Sequence, residues 1–161
     1  MGQIYLIADT HFGHKSIIVF ENAYRPFASI EDHDRELVAR WNATVGKKDT
    51  VWHLGDVFFG KDTHLILGKL NGIKRLVLGN HDIYPYEIYT RYFTKIFGAA
   101  ELRDCILTHI PVHQNQLEWR YTTNIHGHLH SKVMDDPRYH CVSVEHTGLK
   151  PVLLSNLLGD K

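Results

Sequence analysis

Cysteine is scarce in this sequence: Cys105 and Cys141 are the two among 161 residues. A disulfide framework is thereby excluded, and a lone pair reads as two reduced thiols with no assigned chemistry. An excess of one charge is missing too, with 18 basic against 18 acidic residues. No general affinity for nucleic acid or for an anionic membrane is expected, so any anion has to be captured locally. Long hydrophobic runs are absent: the first apolar stretch ends at Asp9, too short for a signal peptide or a membrane span. Cytoplasmic residence, with no membrane partner, is the expectation. No repeat, low-complexity tract or Pro-, Gly- or Ser-rich linker interrupts the chain, so one domain is expected over residues 1–161.

Histidine is abundant instead. There are 13, scattered internally rather than gathered as a tag. Apolar runs at residues 4–8, 50–54, 75–78, 105–108, 123–125 and 141–144 read as strands. Between the first two, Ser29 is placed to cap a helix with Leu37, Val38, Trp41 and Val45 on one face, ending near Gly46. Further helices are predicted over residues 16–20, 63–70 and 89–97, and a hairpin turn at Asp135, Asp136 and Arg138. Alternating strands and helices argue for a layered α/β domain, in which polar residues after the strands converge on one rim.

Five segments supply that rim. Asp9-Thr10-His11 spaces two ligand-type side chains by two; Gly55-Asp56 adds a carboxylate able to bridge two cations; Gly79-Asn80-His81-Asp82 adds an amide, an imidazole and a second carboxylate. His109 stands alone, and Gly127-His128-Leu129-His130 offers two imidazoles at alternate positions. Each short block has a bland reading as a hydrogen-bonded loop; their joint occurrence after successive strands carries the argument.

In this order the blocks resemble the calcineurin-like metallophosphoesterase superfamily, over Asp9 to His130. The resemblance implies a layered β-sandwich core flanked by helices, and hydrolysis of a phosphomonoester or phosphodiester by metal-bound hydroxide, with a nucleotide or nucleic-acid end among the possible substrates. It also implies a first metal held by Asp9, His11, Asp56 and His130, a second held by Asp56, Asn80, His109 and His128, and a His81 that stabilises or protonates the departing oxygen. Two divalent transition metals would fit this mix of imidazole, carboxylate and amide: Mn, Fe, Ni, Co or Zn rather than Mg. The protein phosphatase branch carries Asp and Arg three and four residues after the bridging Asp; Phe59 and Gly60 stand there, which argues against protein phosphatase activity.

Two readings stand for His14: a phosphate contact, or the start of the helix at residues 16–20. Asn80 is a candidate substrate contact as well as a ligand. Trp119 and Arg120, in the loop over residues 111–121, form a candidate substrate rim, the bland alternative being a solvated loop with one anchoring tryptophan. His53 and His126 are read as packing or supporting residues. The rival to an enzyme is a non-catalytic scaffold for protein binding, as in a retromer subunit that keeps this fold without its catalytic residues; His81 and the full ligand set weigh against it.

Overall fold

In the computed structural model, which describes residues 2–159, two sheets lie face to face. The first has the order β4-β3-β2-β1-β9, formed by Phe93–Phe97, Ile73–Val77, Thr50–His53, Ile4–Ile7 and Val152–Leu153; the second has the order β5-β6-β7-β8, formed by Ala100–Leu102, Cys105–Leu107, Thr123–His126 and Tyr139–Cys141. β1 to β4 run parallel, as do β6 to β8, while β9 and β5 join as antiparallel edges.

Strand alternation sends successive side chains to opposite faces. Ile7, Val51 and Leu76 therefore enter one core with Leu37 and Trp41 of the helix Ile30–Thr44, while Leu6, Trp52 and Val77 enter a second core with Leu107 and Ile125 of the other sheet. Ser29 caps that helix by accepting from Asp32 N, and its buried stripe of Leu37, Trp41 and Val45 covers the first sheet. The architecture is the layered α/β sandwich flanked by helices anticipated above. Cys105 and Cys141 are not crosslinked, and burial pushes the Cys141 thiol up to about 11.

Several local expectations are corrected. Residues 89–97 are not a helix: one turn, Tyr86–Tyr89, precedes strand β4. Phe93, Thr94, Ile96 and Phe97 are aromatic or β-branched, and pairing of Ile96 and Phe97 with Leu76 and Val77 outweighs the helical spacing. Thr63–Lys69 is a 3₁₀ helix. Strand β8 ends at Cys141, after which Ser143 bridges to Ala8 and Val144 opens a helical turn. Asp136 and Arg138 do make a turn, but it leads into β8 parallel to β7 and is no hairpin. β5, β9 and the helix Leu154–Leu158 were not anticipated. Among the described residues no helix is long and apolar enough to cross a membrane.

Candidate metal centre

The carboxyl ends of β1, β2, β3, β6 and β7 meet on one rim, and the chain leaves them in tight, left-handed steps. Asp9, His11, Asp56, His128 and His130 all hold φ between 49° and 69°, a region that non-glycine residues rarely adopt and that clusters at functional sites. Glycines allow the close approach of these steps. A Cβ on Gly79 would overlap Asp56 Oδ1, and one on Gly127 would lie 2.6 Å from Asp9 Oδ2.

Two sets of donors result. Oxygen or nitrogen atoms of Asp9, His11 and His130 lie within 4.8 Å of one another, and so do those of Asp56, His109 and His128. Asp56 Oδ2 stands between the sets, 3.6 Å from His11 Nε2 and 3.4 Å from His109 Nε2. Asn80 Oδ1 completes the second set at 2.9 Å from His109 Nε2. Asp9 Oδ1 and His11 Nε2 are buried and have no hydrogen-bond partner among the described residues, a costly state for polar atoms unless a cation meets them.

The ring nitrogens point the same way. His109 Nδ1 donates to Leu54 O at 2.7 Å, and His130 Nδ1 donates to Glu145 Oε1 at 3.1 Å, so each ring turns its Nε2 edge toward a carboxylate. Burial would raise Asp9, but His11, His109 and His130 outweigh it and hold the carboxyl at about 2. Asp56 is likewise held well below the usual range: burial opposes this, and the adjacent His109 and His11 rings prevail. Burial would lower His109, yet Asp56 and Asp9 lift it to about 8. The two carboxylates are thus held ionised beside the imidazoles. The donor set fits divalent cations.

Supporting groups fix the loops. Asp82 accepts from Asp56 N and Gly79 N at 2.8 Å and from Val57 N at 3.0 Å, tying the second and third segments together. Asp9 Oδ2 accepts from Ser143 Oγ at 2.6 Å and from His128 N at 2.8 Å. Arg25, fully buried, donates to the carbonyls of Asp9 and Thr10 and to Glu145. Glu21 also comes within reach of His130 and Glu145, but the Arg25 guanidinium, 2.6 Å from Glu145, already supplies the cation there. Spacing along the chain revealed none of Arg25, Ser143 or Glu145.

His81 is exposed; its N–H donates to Asp56 Oδ1 at 2.9 Å, and its ring lies 5.4 Å from that of Phe59. His14 joins the rim, its Nδ1 2.9 Å from His11 Nδ1 and its ring stacked on Phe59 at 4.2 Å. Burial, with the His11 and His81 rings nearby, lowers it to about 4. Phe59 is therefore the shared wall of His11, His14 and His81.

Trp119 and Arg120 are not brought to this rim. β6 and β7 are parallel, so the segment joining them must cross from the carboxyl end of one to the amino end of the other. Its last residues land opposite the metal rim: Trp119 is 94% exposed, Arg120 pairs with Glu101 and Thr122 N bonds Asp104 O.

The family model for calcineurin-like phosphoesterases matches residues 2–156. An uncharacterised protein of Methanocaldococcus jannaschii is 35% identical, covering 96% of this chain and 88% of its own. The gene 66 protein of Mycobacterium phage L5 is 31% identical, covering 83% and 80%. A crystal structure of a protein of unknown function from Aquifex aeolicus superposes with a TM-score of 0.80 at 25% identity, covering 98% of both chains.

Proposed function

Since the chain belongs to the calcineurin-like phosphoesterase family, we propose that it is a dinuclear phosphoesterase, in which Asp9, His11, Asp56 and His130 hold one divalent transition metal and Asp56, Asn80, His109 and His128 hold the other. The observation that carries this reading is the position of Asp56 Oδ2 between His11 and His109. Two bound cations supply Lewis-acid activation of water and of the phosphoryl oxygens.

The chain's own residues do the rest. Nδ1–H of His109 and of His130 are committed to Leu54 O and Glu145, which keeps both rings in the tautomer a ligand needs. Asp82 holds the Asp56 and Gly79 backbones at a fixed separation, and with them Asn80 and His81. As water adds to phosphorus and the ester P–O bond breaks, His81 gives a proton or a strong hydrogen bond to the leaving oxygen. It is oriented by its backbone bond to Asp56 and by the Phe59 ring, in the place where the protein phosphatase branch carries an aspartate. His14, with Nδ1 engaged by His11, keeps its proton on Nε2 and serves as a phosphate contact.

The test is reconstitution of chelator-treated protein with Mn, Fe, Ni, Co or Zn against a panel of mono- and diesters that includes nucleotides. Metal-dependent turnover is expected in the wild type. Asp56→Asn should lose both metals together and activity with them. Full occupancy and activity in that variant would reject Asp56 as the bridge, and failure of every metal on every ester would favour a non-catalytic scaffold.

A further inference from the structure

Beside the second set, a groove of about 390 Å³ opens where the carboxyl ends of β3 and β4 face that of β6. Leu78, Asn80, Gly98, Thr108, His109 and Ile110 line it. The volume lies in the range of small-molecule sites, roughly 300–1,000 Å³. Asn80 and His109 belong both to the groove and to the donor set, so a group lying in it is continuous with a phosphate at the centre.

Its walls define what fits. Among the described residues the lining holds no lysine, arginine, aspartate or glutamate, which leaves a second phosphate or a carboxylate without a counterion. The one hydroxyl is committed: Thr108 Oγ1 donates to Ile110 O and accepts from Asn124 Nδ2. A polyol would find few partners. What remains is apolar surface from Leu78 and from Ile110, a large side chain left 52% exposed, beside bare backbone at Gly98, where a Cβ would meet nothing within 4 Å. A flat ring suits that shape. His81 stands on the flank of Phe59 and His11, whereas the groove adjoins Asn80 and His109, so the leaving group and the groove's occupant belong to different arms of the ester.

We propose that this groove seats an uncharged ring, a nucleobase or aryl group, on the ester arm that stays bonded to phosphorus, which makes phosphodiesters of such groups the preferred substrates. The inference deepens the phosphoesterase reading and rests on it.

Two esters with the same leaving group separate the arms: methyl p-nitrophenyl phosphate and thymidine 5′-(p-nitrophenyl phosphate), each with the metal-loaded full chain. The wild type should favour the thymidine ester in kcat/KM, mostly through KM. Gly98→Leu, which fills the groove at a position without positive φ, should cut that preference by about tenfold or more. Ile110→Ser, at an exposed position that folding tolerates, should also reduce it. In the metal-free protein, thymidine should shift the amide resonances of Gly98 and Ile110. Equal kcat/KM for the two esters in the wild type, or a preference that survives both substitutions, overturns the proposal. Turnover of p-nitrophenyl phosphate but of neither diester overturns it while leaving the phosphoesterase reading intact; turnover of no ester overturns both.

Discussion

Glu145 accepts a hydrogen bond from His130 Nδ1 at 3.1 Å through the same Oε1 atom that receives Arg25 Nε at 2.7 Å. One carboxylate therefore aligns a candidate metal ligand and anchors a buried guanidinium whose other N–H groups hold the carbonyls of Asp9 and Thr10. The chain continues from Arg25 to His33 Nε2, then through His33 Nδ1 to Asp34, which receives Gly13 N. Burial lowers His33, and as a neutral ring it accepts from Arg25 and donates to Asp34. The first and last ligand segments are thus held by one polar network.

Glu145→Gln should consequently weaken metal binding at the Asp9, His11 and His130 set by about 10- to 100-fold, the usual worth of a carboxylate behind a histidine ligand. Binding at the set of Asn80, His109 and His128 should be retained. Calorimetric titration of chelator-treated protein, with urea unfolding as a control for the strain on Arg25, measures this. Equal weakening at both sets would reduce Glu145 to a folding residue.

Asp82→Ala should be costly before any metal is added. It strands three backbone N–H groups, those of Asp56, Val57 and Gly79, and hydrogen bonds to a charged partner contribute about 1.5–3 kcal/mol each before relaxation. Water will recover part of that, so a loss of roughly 2–4 kcal/mol is expected in urea unfolding. A change below about 0.5 kcal/mol would show that the clamp is dispensable.

The rim was legible because its residues follow apolar runs directly: Asp9 after residues 4–8, Asp56 after residues 50–54, His109 after residues 105–108. Local spacing encodes that much. Arg25 and Glu145 are 120 positions apart and meet only because Ser143, just before the helical turn, pairs with Ala8 at the end of β1, a contact without any local signature. The ring stack of Phe59 on His14 likewise has no local signature. Residues 89–97 carry a helical spacing but are not a helix for a different reason: the open edge of β3 recruits Phe93–Phe97 as a strand, and no property of the segment by itself announces that neighbour. Trp119 and Arg120 had suitable chemistry but followed a parallel crossover to the wrong end of the sheet.

Acid should destabilise the metal-free protein partly through His53. Burial lowers its pKa to about 3, and the ring is pinned as a neutral species by Gly55 N on Nδ1 and Thr10 Oγ1 on Nε2. A depressed folded pKa means that the stabilising contribution is intact above the unfolded value, near 6.5, and drains away as the pH falls from there toward 3. One proton taken up on unfolding gives a slope of about 1.4 kcal/mol per pH unit. His53→Gln should flatten the decline between pH 6 and 4.5 by about that amount in urea unfolding, even if it lowers stability at pH 8. An unchanged slope would mean that His53 titrates normally in the folded protein.

His81 offers the sharpest test of the chemistry, because its ring belongs to neither donor set while its backbone is tied to Asp56. His81→Ala should therefore leave two metals bound. An alkoxide leaving group is strongly basic and needs a proton as the P–O bond breaks, help that is typically worth roughly 10² to 10⁴ in rate. A nitrophenolate departs with little assistance. Loss of His81 should thus slow alkyl or nucleoside esters far more than nitrophenyl esters of the same phosphate, in kcat as well as kcat/KM. Equal losses on both, with metals intact, would assign His81 to stabilising charge on the phosphoryl oxygens instead. Release of a metal would make His81 a ligand, and the second set would then have to be redrawn around it.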